Sequence, residues 1–374
     1  MFTNKRGIQL TMDFYSQQEK PFFTDNLPKS VKPSTKNDYI SIKQRRYLGN
    51  KYNALSLIND VVKNRVGYFE SFCDIFAGTG TVGEYFNSKN NTIISNDLLY
   101  SNYISLRAFL SDENYDKDKI LELLEYFNSL TTSEENYFSI HFGDRYYTKK
   151  TAKKIGAIRE EIEELYKKSF INQKERSILI TSLLYAIDKI ANTVGHYDAY
   201  IKKSIQDREL ELKMLDIKAI NSNNLIYNKD ANELIKEISG DVLYIDPPYN
   251  SRQYSDSYHL LENLARWEKP EVKGVAKKFD RSKLKSRYSL KDAPKAFAEL
   301  IADAKFKYIL FSYNNMQNKG DSRSNARISD EEIIEILGTR GLVEIYEQDF
   351  KAFTTGKTKI NDNKERVFFV EVTK

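Results

Sequence analysis

Cysteine is almost absent: Cys73 is the only one in 374 residues, which excludes an internal disulfide and a thiolate metal cage. Histidine is nearly as scarce. His141, His196 and His259 stand far apart and show no metal-ligand spacing, so a metal-free protein is expected. No stretch approaches the length of a membrane span, and Met1 to Lys20 lacks the apolar core of a secretion signal. The expected setting is cytoplasmic, with no membrane partner. Internal repeats and low-complexity tracts are missing too. What remains, 40% apolar and 30% charged residues, describes a soluble globular protein with room for one large or two medium domains.

Net charge is also small, at +5, but it is unevenly placed. Between Arg266 and Lys291 ten Lys or Arg face only Glu268, Glu271 and Asp280, a local excess of seven. That segment outweighs the whole chain, so the remainder is slightly acidic. Concentrated positive charge suits a phosphate backbone as partner, and it equally suits a solvated loop with an ordinary charge run.

Hydrophobic periodicity divides the chain. Residues 1–40 are polar, interrupted by Pro21, Pro28 and Pro33, and read as an N-terminal extension. Leu55, Ile58 and Val62 share one face of a helix after Asn53. Phe72–Phe76 reads as a strand, Ala77–Gly80 as its turn, and Thr81 as the start of a helix. Thr92–Asn96 is the next strand, ending at Asp97. From 100 to 224 the pattern is helical, with Ile155, Ile158, Ile162 and Leu165 on one amphipathic face. Ile178 to Val194 is more apolar and expected inside, before a turn at Gly195–Tyr200. Alternation resumes with Leu225–Asn228, a helix from Ala231 and a strand at Val242–Ile245. Tyr308–Tyr313, Leu342–Phe350 and Val367–Val372 complete seven strands of one α/β sheet, formed by 41–99 and 225–374 and interrupted by the helical insertion.

The Val242–Ile245 run ends in Asp246-Pro247-Pro248-Tyr249. Open α/β sheets bind ligands at the carboxyl ends of their strands. The prolines keep the backbone extended and carry no N–H, so local carbonyls stay free to accept. An acid, a carbonyl and an aromatic face make a pocket for a flat ring bearing an exocyclic amino group. The plainer reading is a proline turn with Tyr249 packed on the core.

Gly78-Thr79-Gly80-Thr81-Val82-Gly83 satisfies G-x-G-x-x-G between a strand and a helix, with Asp97 near the distance used for ribose hydroxyls. The pattern suits a nicotinamide dinucleotide or the methionine end of S-adenosylmethionine. Asp74 tilts it away from hydride transfer, because a carboxylate there meets a cationic amino acid better than a pyrophosphate. Asp230, after the Leu225–Asn228 strand, is placed to accept from an adenine amino group.

Arg46-Tyr47-Leu48-Gly49-Asn50-Lys51, Asp74 to Gly80, Asp97, Asp230 and Asp246 to Tyr249 occur in the order seen in Dam-like DNA adenine methyltransferases. The chain resembles the alpha group of that family, and especially the methyltransferases of type II restriction-modification systems, whose tetrapeptide runs on as in Asn250-Ser251-Arg252-Gln253-Tyr254. The resemblance covers about 41–99 and 225–374. It implies a Rossmann-like, seven-stranded S-adenosylmethionine-dependent methyltransferase sheet. Phe76, Ala77, Gly78 and Gly80 would then line the methionine part of the donor, Asp74 face its amino group, Asp97 its ribose and Asp230 its adenine. Lys51, in the Tyr47–Lys51 element, would help hold the donor's carboxylate.

A flipped adenine of double-stranded DNA would stack on Tyr249, its amino hydrogens accepted by Asp246 and the Pro247 carbonyl, with Pro248 holding the turn. The helical insertion at 100–224 stands where the family carries its target-recognition region. Tyr197, Tyr200, Lys202 and Lys203 are candidates there to face DNA, though each also suits a solubilised helical subdomain. Arg252, Lys277, Lys278, Arg281, Lys283, Lys285 and Arg287 are the expected phosphate contacts. A companion restriction endonuclease would act as a separate chain, since these parts leave little room for a fused nuclease. The competing readings are an RNA adenine methyltransferase, a dinucleotide-dependent oxidoreductase and a non-catalytic DNA-binding protein.

Overall fold

Nine strands run through the described residues: β1 (Tyr39–Ile40), β2 (Ser71–Asp74), β3 (Thr92–Asn96), β4 (Met214–Leu215), β5 (Leu225–Tyr227), β6 (Ser239–Ile245), β7 (Lys305–Ser312), β8 (Val343–Asp349) and β9 (Lys364–Glu371). The structure is a computed structural model that describes residues 39–202, 204–218, 223–314, 326–349 and 364–373. Seven strands form one sheet in the order β5-β3-β2-β6-β7-β9-β8. Of these seven, β9 alone runs opposite to the other six. The expected seven-stranded α/β sheet is therefore present. The remaining pair, β1 and β4, is parallel and matches Tyr39 with Met214.

Strand order reverses between β2 and β6. From β2 the connections run outward through β3 and β5, and from β6 they run the other way through β7. Such a switch point opens a crevice at the strands' carboxyl ends. Asp74 closes β2 in register with Tyr244, two residues before Asp246. Topology alone thus sets two carboxylates side by side.

Period-two alternation sorts the strand side chains between the faces. Val242 and Tyr244 of β6 join Val367 and Phe369 of β9 under α1 (Leu55–Val61) and α2 (Thr81–Phe86). Leu243 and Ile245 join Phe368 and Val370 on the opposite face. There they meet α8 (Ala231–Leu234), α11 (Ala293–Asp303) and α12 (Asp330–Gly338). Because these strands are covered on both sides, they read as continuous apolar runs. β6 starts three residues earlier than its apolar run, because polar Ser239-Gly240-Asp241 continues the ladder against Lys305 and Phe306. β2 ends earlier than expected: Ile75 and Phe76 turn away, with the Ala77 N–H bonding the Asn96 carbonyl at 2.8 Å.

The helical region is a third layer with its own core, made by α3 (Tyr100–Leu110), α4 (Lys117–Ser129), α5 (Tyr137–Phe142), α6 (Lys149–Lys167) and α7 (Gln173–Ile190). Ile155, Ile158, Ile162 and Leu165 bury the expected face of α6, and α7 is buried on nearly all sides. The layer also takes in a later segment, α9 (Tyr254–Ser257), α10 (His259–Arg266) and the chain to Val272. Arg159, fully buried on α6, gives its guanidinium to the Leu264 and Ala265 carbonyls at 2.9 and 3.1 Å. These belong to the last turn of α10, which has no internal donors for them.

Glu262 ties this layer to the sheet. Its buried carboxylate accepts from the Tyr100 and Ser101 N–H groups at 2.9 and 2.8 Å, capping α3 just after the β3 turn. Arg266 holds the same carboxylate at 2.7 Å. Glu262→Ala orphans two helix-start donors, each worth about 1–3 kcal/mol. The expected result is a lower urea midpoint, with Glu262→Gln less affected because one acceptor oxygen remains.

Candidate active site

A pocket with about 910 Å³ of empty space, open mouth included, lies at the carboxyl ends of β2, β3, β5 and β6. Behind its lining, Arg45 is buried with its guanidinium over the rings of Tyr47 and Tyr258 at 5.4 and 5.8 Å. Tyr47 packs nearly parallel to both Tyr254 and Tyr258, with centroids 5.2 and 4.7 Å away, and those two rings lie 6.2 Å from each other. The stack fixes the turn at Leu48. Its N–H donates to the Tyr258 hydroxyl at 2.7 Å, and its carbonyl accepts from Tyr254 at 3.1 Å. Gly49 sits at φ +76°, and a Cβ there would come within 2.9 Å of the Tyr254 hydroxyl. This turn delivers Lys51 into the pocket.

The glycine loop forms the floor. The Asp97 carboxylate accepts from the Gly78 and Leu99 N–H groups at 2.9 and 2.8 Å, so it clamps the loop to the end of β3. Burial raises its pKa to about 6, against the pull of those bonds. Gly80 is at φ +83°, and a Cβ would meet Leu106 at 2.6 Å. It stands behind the lining, at the start of α2.

Asp74 is 1% exposed, and its Oδ1 has no hydrogen-bond partner. Burial first, then Asp246 and Asp97, holds its carboxyl well above the usual carboxylate range. Asp246 is raised to about 7 by burial, with Lys51 pulling down and Glu365 pushing up. Lys51 Nζ lies 3.1 Å from Asp246 Oδ1 and 2.6 Å from Glu365 Oε1. The pocket therefore gathers Asp74, Asp97, Asp230 and Asp246 with two ammonium groups, Lys51 and Lys229, each of which another acid, Glu365 or Glu237, also claims. An uncompensated acidic concavity favours a cationic ligand. Among the described residues, no group of His, Cys, Asp or Glu is arranged to hold a metal ion.

Tyr47, Lys51, Asp74, Phe76, Ala77, Gly78, Asp97 and Asp230 all reach this lining, as do Asp246 and Pro248. Asp230 caps α8 through one oxygen, 2.9 Å from the Asn232 N–H. Beside it, Phe76 meets Tyr288 edge-on at 4.9 Å and gives the pocket a flat apolar slot. Pro247 is buried outside the lining. Tyr249 also stands off it, half-buried and edge-on to Tyr313 at 6.4 Å. Its carbonyl accepts from the Arg327 N–H at 2.9 Å.

The expected DNA-facing residues divide. Lys202, Arg252, Lys283 and Lys285 are exposed, with no ion pair among the described residues, and Lys277 is half-exposed. Lys278 and Arg281 are engaged with Asp256, Lys278 also with Asp198, and Arg287 with Asp292 and Glu299. Tyr200 is half-buried and edge-on to Tyr146 at 5.5 Å. Tyr197 is corrected: it is fully buried, and its hydroxyl donates to Asp188 at 2.9 Å, so it is a core residue. Lys203 lies outside the described residues. Glu365, Tyr258 and Tyr288 carried no local signal of a role. Tyr254 was visible only as the continuation of the tetrapeptide.

A raised folded pKa has a definite sign in the pH dependence of stability. Ionising Asp246 costs nothing below the unfolded carboxylate range of about 4, and the full cost is reached above about pH 7. Asp246→Asn is therefore expected to melt above the parent at pH 8, by on the order of 1–2 °C per kcal/mol relieved. The advantage should shrink as pH falls through 7 towards 5. A variant that melts lower at pH 8 would show that the Lys51 pairing outweighs burial.

Comparison with known proteins gives a consistent result. The family model of the D12 class N6 adenine-specific DNA methyltransferases matches residues 47–325. The chain is 35% identical over 343 residues to Modification methylase StsI of Streptococcus sanguinis, covering 86% of this chain and 50% of that protein. It is 34% identical over 348 residues to Type II methyltransferase M.FokI of Planomicrobium okeanokoites, covering 87% and 52%. With Type II methyltransferase M.NlaIII of Neisseria lactamica the identity is 32% over 340 residues, covering 86% and 96%. The chain thus spans about half the length of the first two relatives and nearly all of the third.

Proposed function

The chain belongs to the D12 class N6 adenine-specific DNA methyltransferase family, and on that footing we propose that it methylates the N6 amino group of a flipped adenine in double-stranded DNA. The proposed donor is S-adenosylmethionine. One observation carries the reading: Asp246 and the orphaned Asp74 oxygen share one acidic pocket at the sheet's switch point. When bound, the donor supplies an electrophilic methyl group on a cationic sulfur. Asp74 suits its ammonium group, Asp97 its ribose hydroxyls, and Asp230 with the Phe76–Tyr288 slot its adenine.

The chain's own part is placement. An adenine amino group is a poor nucleophile, because its lone pair is delocalised into the ring. Asp246 and the Pro247 carbonyl, accepting its two hydrogens, favour a pyramidal nitrogen with the lone pair aimed at the methyl. Lys51 occupies Asp246 Oδ1, and no hydrogen bond engages Oδ2 among the described residues. Tyr249, steadied by Tyr313, offers the face on which the base stacks. Orientation and a preorganised negative field then favour the developing charge on nitrogen. The proposed helical target-recognition region is 100–224, with 41–99 and 225–374 as the catalytic part. The names of the relatives, a modification methylase and a type II methyltransferase, support a restriction-modification setting.

Mapping methylated adenines in plasmid DNA from expressing cells, with labelled methyl transfer compared on DNA and RNA, tests the reading. Asp246→Ala is expected to lower transfer by roughly 10²–10³-fold, as for removal of one preorganised polar group. Near-normal turnover would remove Asp246 from the chemistry. Neutralising Arg252, Lys283 and Lys285 together is expected to reduce the slope of log K against log salt by about 0.9 for each phosphate that then goes unpaired. Neutralising the internally paired Arg287 should leave that slope unchanged.

A further inference from the structure

Glu365 lies far from the tetrapeptide in sequence and near the end of the chain, yet it stands in the same cluster. It projects from β9, the one antiparallel strand, and is 7% exposed at the side chain. Lys51 is 10% exposed and Asp246 17%. Lys51 Nζ bridges them at 2.6 Å to Glu365 and 3.1 Å to Asp246. The Ser312 hydroxyl, at the end of β7, donates to Glu365 Oε1 at 3.2 Å and fixes that carboxylate in turn. One ammonium cannot by itself fix a carboxylate's rotation, but an ammonium anchored from behind can.

We propose that Glu365 is a positioning residue for methyl transfer: it holds Lys51 so that Lys51 occupies Asp246 Oδ1 and turns Oδ2 towards the incoming amino group. This rests on the reading of Asp246 as the group that receives the target amine. Glu365 touches neither base nor donor in this arrangement. Its negative charge has a second effect, because it opposes ionisation of Asp246 while Lys51 favours it. The other titratable groups around Asp246 are Asp74 on β2, Tyr244 on β6, Tyr249 in the tetrapeptide and Tyr254 on α9.

The charge and the geometry separate in two variants. Glu365→Gln keeps an acceptor for Lys51 and removes the charge, whereas Glu365→Ala removes both. At pH 8 the single-turnover rate on plasmid DNA is expected to fall by about 10²-fold in Glu365→Ala, the cost of a misplaced group, and by less than about 5-fold in Glu365→Gln. Independently of turnover, the side-chain carboxyl carbon of Asp246 can be followed in protein labelled with 13C-aspartate, its resonance assigned by its loss in Asp246→Asn. It is expected to titrate at lower pH in Glu365→Gln than in the parent, since a like charge has gone. Thermal melting of each variant separates loss of fold from loss of position. An unmoved Asp246 titration in a folded Glu365→Gln, or a parent-like rate in Glu365→Ala, overturns the proposal. Absence of DNA methylation by the parent would instead overturn the proposed function and leave the titration as the test of the Lys51–Glu365 couple.

Discussion

Carboxylate crowding at the ends of β2 and β6 is the constraint around which the rest of the site is arranged. The two strands are neighbours and parallel, and their connections leave in opposite directions, so Asp74 and Asp246 must face one crevice. Burial penalises both charges. Lys51 answers for Asp246 and Glu365 answers for Lys51, but Asp74 keeps an unbonded oxygen. The burial and neighbouring acids that hold the Asp74 carboxyl well above the usual carboxylate range are the kind of local cost that binding sites carry against overall stability. A cationic donor would relieve it on binding.

The helical layer reaches the crevice through a few buried polar contacts as well as through apolar packing. Glu262 caps α3 where the chain leaves β3, which fixes the turn bearing Asp97. Tyr254 and Tyr258, at the beginning of the segment that joins this layer, clamp Tyr47 and the Leu48 turn that presents Lys51. Insertion and sheet are thus mechanically one unit around the pocket, although far apart in sequence. The same packing consumes charge. Much of the basic excess of 266–291 is spent on Asp256, Asp198, Asp292 and Glu299. Cations open to a phosphate backbone are fewer than the bare count of lysine and arginine suggests.

Most residues of β2, β3, β6, β7 and β9 are buried and announce themselves as apolar runs, which made the middle of the sheet legible, whereas β5 and β8 at its edges are partly exposed. The start of β6 was not legible, because Ser239-Gly240-Asp241 bonds through its backbone and carries no apolar pattern. Tyr197 shows the opposite failure. A tyrosine between a histidine and two lysines looks like surface, but its burial depends on Asp188, nine residues earlier on another element. Tyr249 packs edge-on against Tyr313, as its plainer reading had it, and stands off the pocket lining.

Sequence alone determined the chemistry on offer: the acids at strand ends, the glycine loop that lets backbone approach a ligand, and the aromatic after two prolines. Each is a local feature, set by residues within a few positions of one another and therefore readable in order. Tertiary structure decided which groups share a charge. The Lys51–Asp246–Glu365 cluster draws on three segments spread over most of the chain, and nothing near Glu365 distinguishes it from a polar strand end. Coulombic coupling depends on distance through space and on burial, and neither is written in spacing along the chain.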